Sequence, residues 1–104
     1  MFEAGNVVLA KVQFVDSGEV KQRPALVLFE EMGNIVVAGI TSNTKMTGVP
    51  LTKKDGAVKD SVIKLNYIFT ISQNAVVRVL FSISPEKKKE VRAAFLKRLG
   101  ALEK

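Results

Sequence analysis

Glu19 and Arg23 stand four positions apart in "SGEVKQRP", immediately ahead of an apolar run. A carboxylate and a guanidinium so placed can handle a proton and a phosphate. A guanidinium grips phosphate through two parallel donors and keeps its charge at any working pH. The same two residues also read as a surface ion pair, worth about 0 to 1 kcal/mol. A second cluster, "GITSN", offers the hydroxyls of Thr41 and Ser42 and the amide of Asn43. Such groups donate to anions, and they equally bond their own backbone in turns. Lys64 and Asn66 interrupt an apolar stretch, either as a further phosphate contact or as the solvent face of an edge strand. Lys21 and Lys45 add positive charge beside the first two clusters.

Other chemistries are excluded by composition. The chain has no cysteine and no histidine, which removes disulfides, thiol and imidazole catalysis and nearly every zinc site. Phosphate loops of the GxxxxGK type and helical metal motifs are absent too, so neither cofactor nor metal is expected. The net charge of +6 suits a polyanionic partner. Its distribution moderates that inference: seven basic and three acidic residues fall between Glu86 and Lys104, leaving only +2 for everything before. "EKKKE" mixes both signs and reads as a solvated helix face. No apolar run approaches the ~20 residues that span a bilayer, and the N-terminus lacks a leader-like pattern, so a cytoplasmic protein without membrane partners is expected.

The candidate residues need a scaffold, and the hydrophobic pattern supplies one. Residues 6–15, "NVVLAKVQFV", alternate with the period of a strand. "DSGEVKQ" reads as a polar loop. Pro24 opens "ALVLF", short and continuously apolar as in a buried strand, and Gly33 with Asn34 marks a tight turn before the returning strand "IVVAGIT". Residues 42–60 form a polar loop broken by a brief strand at "VPL". "SVIKLNYIFTI" alternates again, setting Ile63 and Leu65 against Lys64 and Asn66, which then project from one face. After the turn "SQNA" comes the strand "VVRVLFSI". Tyr67 and the six phenylalanines lie mostly in apolar stretches, so a base-stacking platform is not evident.

Ser84, Pro85 and Glu86 start a helix over about 85–99, with a side-chain cap, a proline at the first position and an acid at the positive dipole end. Val91, Ala94, Phe95, Leu99 and Leu102 make its apolar stripe, and Gly100 its stop. The whole predicts a mainly β single domain over residues 1–104, a small antiparallel barrel or bent sheet with a C-terminal helix. If the first and third strands flank the second, Arg23 and Thr41 meet at one end.

"GNVVLAKV", the acid-to-"RPALVL" block, "ITSN", "SVIKLNYIFTIS" and "SPEKKKEVRAAFLKRL", in that order, resemble the PemK/MazF/Kid family of toxin endoribonucleases across nearly the whole chain. The resemblance implies a small SH3-like barrel, a homodimer, metal-independent cleavage of single-stranded RNA such as mRNA, and neutralisation by an antitoxin protein. The family's catalytic arginine falls on Arg23, its threonine on Thr41 and its loop acid on Glu19. Lys21, Ser42, Asn43, Lys45, Lys64 and Asn66 would then contact RNA. Some members carry an arginine and an aspartate where this chain has Lys64 and Asn66, and a glycine where it has Phe81. Asparagine cannot serve as a general base, so a barrel that binds RNA or a partner protein without cutting is the alternative. A proline-rich-peptide barrel ranks last, since it needs clustered exposed aromatics.

Overall fold

The computed structural model describes residues 2–13 and 18–104. Phe14 to Ser17, which fall in the expected first strand and polar loop, lie outside the described residues. Six strands precede one helix: β1 (Asn6–Gln13), β2 (Val20–Glu31), β3 (Asn34–Thr41), β4 (Val49–Leu51), β5 (Ser61–Ser72), β6 (Val76–Ser82) and α1 (Pro85–Leu99). All pair antiparallel in the order β4-β5-β3-β2-β1-β6. The sheet curls into a half-barrel, the mainly β, helix-appended architecture expected from the pattern.

No ladder joins β4 to β6 among the described residues, yet the two edges come together through side chains. Gly56, just past β4, has φ 111°, and a Cβ built there would lie 2.8 Å from the Phe81 ring on β6. Glycine is therefore required twice over, by its left-handed backbone and by the ring seated against it. Phe81, where a glycine was the family expectation, fills that seam.

The central strands are buried on both faces, which explains the unbroken apolar run of β2. One face carries Val7, Leu26, Ala38 and Ile63 beneath α1, which contributes Val91 and Phe95. The other carries Val8, Ala25, Val27, Ile35 and Val37, with Phe69 packed against them. Leu26 and Ile63 are about 1% exposed or less, and each such side chain contributes about 1.5–3 kcal/mol by burial.

Ser84 caps α1 as expected, its Oγ accepting from the Lys87 backbone N–H at 3.1 Å. The Lys87 ammonium ties the helix to the sheet by donating to the Pro50 carbonyl at 3.0 Å, with Asp55 at 3.7 Å and Glu90 at 2.9 Å. Val91 is buried, and Ala94 and Phe95 pack on the core. The expected stripe stops there: Leu99, at the end of α1, is 54% exposed, and Leu102, in the 3₁₀ turn beyond it, 82%. Gly100 does end α1, but in right-handed geometry that runs on into a 3₁₀ turn.

Three further expectations are corrected. Strand β2 starts at Val20, not at Pro24, so Arg23 sits in a strand rather than a loop; backbone pairing with β1 wins over the polar side chains. The β2–β3 turn centres on Met32 (φ 51°) and Gly33 (φ 85°), not on Gly33 and Asn34. Two successive positive φ values give the hairpin a twist matching its strands. Finally, Ser61 through Leu65 are all buried, so β5 does not alternate there, and Lys64 lies in an interior strand rather than on an edge.

Candidate functional site

Strand β2 lies between β1 and β3. Its ladder with β3 pairs Ala25 with Gly39 and goes no further, stopping beside Pro24, which has no N–H to offer a ladder. Carried two residues on, the register would set Arg23 opposite Thr41. There the strands have parted, and Arg23, Pro24, Gly39, Thr41 and Ser42 instead line a cavity of about 460 Å³. The Thr41 Oγ accepts from the Asn43 backbone N–H at 3.1 Å. That contact orients the hydroxyl and leaves its proton to donate.

The opposite wall comes from an irregularity in β5. Ala38 pairs with Ile68 and Ile40 with Ile63, so Lys64 to Tyr67 bulge outward across the single residue Gly39. A Cβ on Gly39 would approach the Tyr67 Cβ to 3.3 Å, which is why the close approach falls at a glycine. The bulge turns Lys64 inward at 7% exposure. Its ammonium donates to the Met46 sulfur at 3.2 Å and sits 4.6 Å from the Tyr67 ring centroid.

Lys59, Ser61, Tyr67 and Phe69 complete the cavity. Three cations, Arg23, Lys59 and Lys64, face it, and among the described residues no carboxylate lines it. Hydroxyl donors and an aromatic wall accompany them. Such a concavity suits a phosphate carried on a base-bearing chain. A family model for PemK-like, MazF-like toxins of type II toxin-antitoxin systems matches residues 3–99. The chain belongs to that family.

Solved PemK/MazF-like toxins share the fold at low sequence identity. The Mycobacterium tuberculosis toxin MazF-mt6 superposes with a TM-score of 0.74 at 21% identity, over 88% of this chain and 93% of the other. A mycobacterial endoribonuclease in complex with its cognate antitoxin gives 0.75 at 13%, over 96% of each chain. MazF from Deinococcus radiodurans gives 0.73 at 20%, over 94% and 96%.

In this PemK/MazF-like chain the nine expected site residues divide. Arg23, Thr41, Ser42 and Lys64 share the cavity just described, and Lys45, Asn66 and again Lys64 line a second one. Asn43 lines neither; its Oδ1 accepts from the Lys45 backbone N–H at 3.1 Å, closing a turn. Glu19 and Lys21 also line neither, and pair with each other at 3.7 Å while largely exposed. Sequence reasoning missed Lys59, Ser61, Tyr67 and Phe69. Tyr67, 55% exposed, and the partly buried Phe69 give the cavity an aromatic wall that was not evident in the sequence. The signal available for it was Gly39 in the middle of an apolar strand, a mark of close backbone approach.

Proposed function

We propose that this toxin-family chain is an endoribonuclease that cuts single-stranded RNA, mRNA in the cytoplasm, without a metal. The observation that carries the reading is the shared cavity of Arg23, Thr41 and Lys64. RNA holds its own nucleophile, the 2′-hydroxyl beside the scissile phosphate. Attack of that oxygen on phosphorus expels the 5′-oxygen of the next nucleotide, leaving a 2′,3′-cyclic phosphate and a 5′-hydroxyl. The protein's task is to orient the two groups and stabilise the extra negative charge of the transition state. Arg23 clamps the phosphate oxygens, Thr41 donates a hydrogen bond, and Lys64 adds charge from a desolvated position. Tyr67 and Phe69 offer a face to an adjoining base. Glu19 is the candidate base by its place in the sequence, and it lines neither cavity.

Among the described residues the lining contains no carboxylate, imidazole or thiol, the side chains that most often hold a divalent ion. The same fact favours the second reading, RNA binding without cleavage. One experiment separates them. End-labelled RNA of mixed sequence is incubated with the protein in EDTA, beside Arg23→Ala. The expected result is cyclic-phosphate-ended product, reduced about 10²–10³-fold in the variant, the usual cost of losing one transition-state donor. Undiminished cleavage by the variant removes Arg23 from the mechanism. Salt-sensitive RNA binding without product supports the binding-only reading.

The reading includes an antitoxin protein and a homodimer. The support for both is apolar surface left open between α1 and the sheet, where Phe29, Ile68, Leu96 and Leu99 are each more than 40% exposed. A patch of that kind seldom faces water in a lone chain. Sedimentation of the isolated protein tests the dimer by its mass.

A further inference from the structure

Lys64 borders two cavities. On one side is the Arg23–Thr41 cavity; on the other is a second of about 460 Å³, lined by Lys45, Met46, Thr47, Leu65, Asn66 and Arg98. We infer that the second cavity is a separate phosphate subsite, which holds the phosphate flanking the scissile one and makes Arg98 of α1 an RNA-binding residue. The inference rests on the nuclease reading and extends it along the substrate.

The central observation is a buried cation without an oxygen acceptor. Lys64 is 7% exposed, and among the described residues its ammonium meets only a thioether sulfur and a ring face. Sulfur is a weak acceptor, and a cation–π contact contributes about 0.5–2 kcal/mol, less than the several kcal/mol that removing an ammonium from water costs. An ammonium has three donors. With one directed at Met46, others remain for an anion on either side of β5. A polyanion threading from one cavity to the other would supply the missing oxygens.

The remaining cations converge on the second cavity from different elements. Lys45 comes from the loop after β3, Lys64 from the β5 bulge and Arg98 from the last turn of α1. Arg98 Nη1 donates to the Ala94 carbonyl at 3.1 Å, which anchors the guanidinium to its own helix and leaves its other donors directed elsewhere. Asn66 contributes an exposed amide. Among the described residues no acidic one lines this cavity either. A chain of phosphates therefore meets Arg23 in one cavity and Arg98 in the next, with Lys64 between.

The test compares a dinucleotide, which holds only the scissile phosphate, with the same dinucleotide extended by one nucleotide on each end. The measured quantity is the ratio of kcat/KM for the extended substrate to that for the dinucleotide. Arg98→Gln is expected to lower this ratio about tenfold, the weight of one charge-assisted contact. It should also reduce the salt slope of RNA binding by about 0.7. Lys89→Gln removes the same charge from an exposed position of the same helix and should leave both unchanged. An Arg98→Gln ratio equal to wild type, or an equal fall in Lys89→Gln, overturns the subsite while leaving the nuclease intact. If wild type cleaves nothing but binds RNA with an Arg98-dependent salt slope, the nuclease reading fails and the subsite stands. If it neither cleaves nor binds, both fail.

Discussion

Strands β2 and β3 behave differently at their two ends. At the hairpin end the ladder is paired through to Glu31 and Asn34, and a two-residue turn closes it. At the other end pairing stops at Ala25 and Gly39, a proline follows on one strand, and the neighbouring β5 bulges by several residues. Toward the hairpin the pairing slips by one residue between Val27 and Phe29 and then resumes, and the buried side chains there, Val27, Ile35 and Val37, are aliphatic. The irregular end gathers Arg23, Thr41 and a buried lysine around a cavity. Paired backbone satisfies its own polar groups, and here it brings mainly apolar side chains to both faces. Broken pairing turns polar side chains toward a common space, at a cost in stability that the rest of the sheet must cover.

That contrast can be broken from either end. The largest effect should come from the regular part: Leu26→Ala is expected to destabilise the fold by about 2–5 kcal/mol, read from urea unfolding midpoints at constant slope. A loss under about 1 kcal/mol would mean that the core is less tightly filled than its burial indicates.

The irregular end should respond in the opposite sense. Lys64→Met replaces a buried cation lacking an oxygen acceptor with an apolar side chain of similar length. Stability is expected to rise by about 1 kcal/mol while RNA cleavage falls about tenfold or more. A parallel fall in both would show that Lys64 serves the fold rather than the site. The smallest effect belongs to the turn. Met32 is 95% exposed with a positive φ, so Met32→Asn should raise stability by about 0.5–1 kcal/mol with cleavage within about twofold of wild type. A destabilised hairpin would argue that Met32 makes contacts its exposure does not suggest.

The same division governs what could be read from the sequence. Most of the strands, the Ser84-capped helix and the brief strand at "VPL" follow from period, caps and turn residues, which act locally. The meeting of Arg23 with Thr41 followed from one topological condition, that β1 and β3 flank β2, and the structure meets it. The bulge in β5 was not legible, because "SVIKLNYIFTI" fits a regular strand as well as a broken one. Lys64 was consequently read as a solvent-facing residue or a phosphate contact and not as a buried cation, and the aromatic wall of Tyr67 and Phe69 was missed. Arg98 escaped notice because sequence places it in the last turn of a helix, where a cation is ordinarily explained by the dipole. Leu99 and Leu102 carried the helical period past the point where the sheet remains beneath them. In each case the deciding factor was how several elements pack together, which no local pattern records.

The most direct test of a shared catalytic cavity is a double-mutant cycle on cleavage of one RNA substrate, using Arg23→Ala, Thr41→Val and their combination. If both side chains hold the same phosphate, the double variant should retain more activity than the product of the two single losses, with a coupling of at least about 1 kcal/mol. Losses that multiply to within about 0.3–0.5 kcal/mol would place the two groups on independent tasks and contradict the shared site.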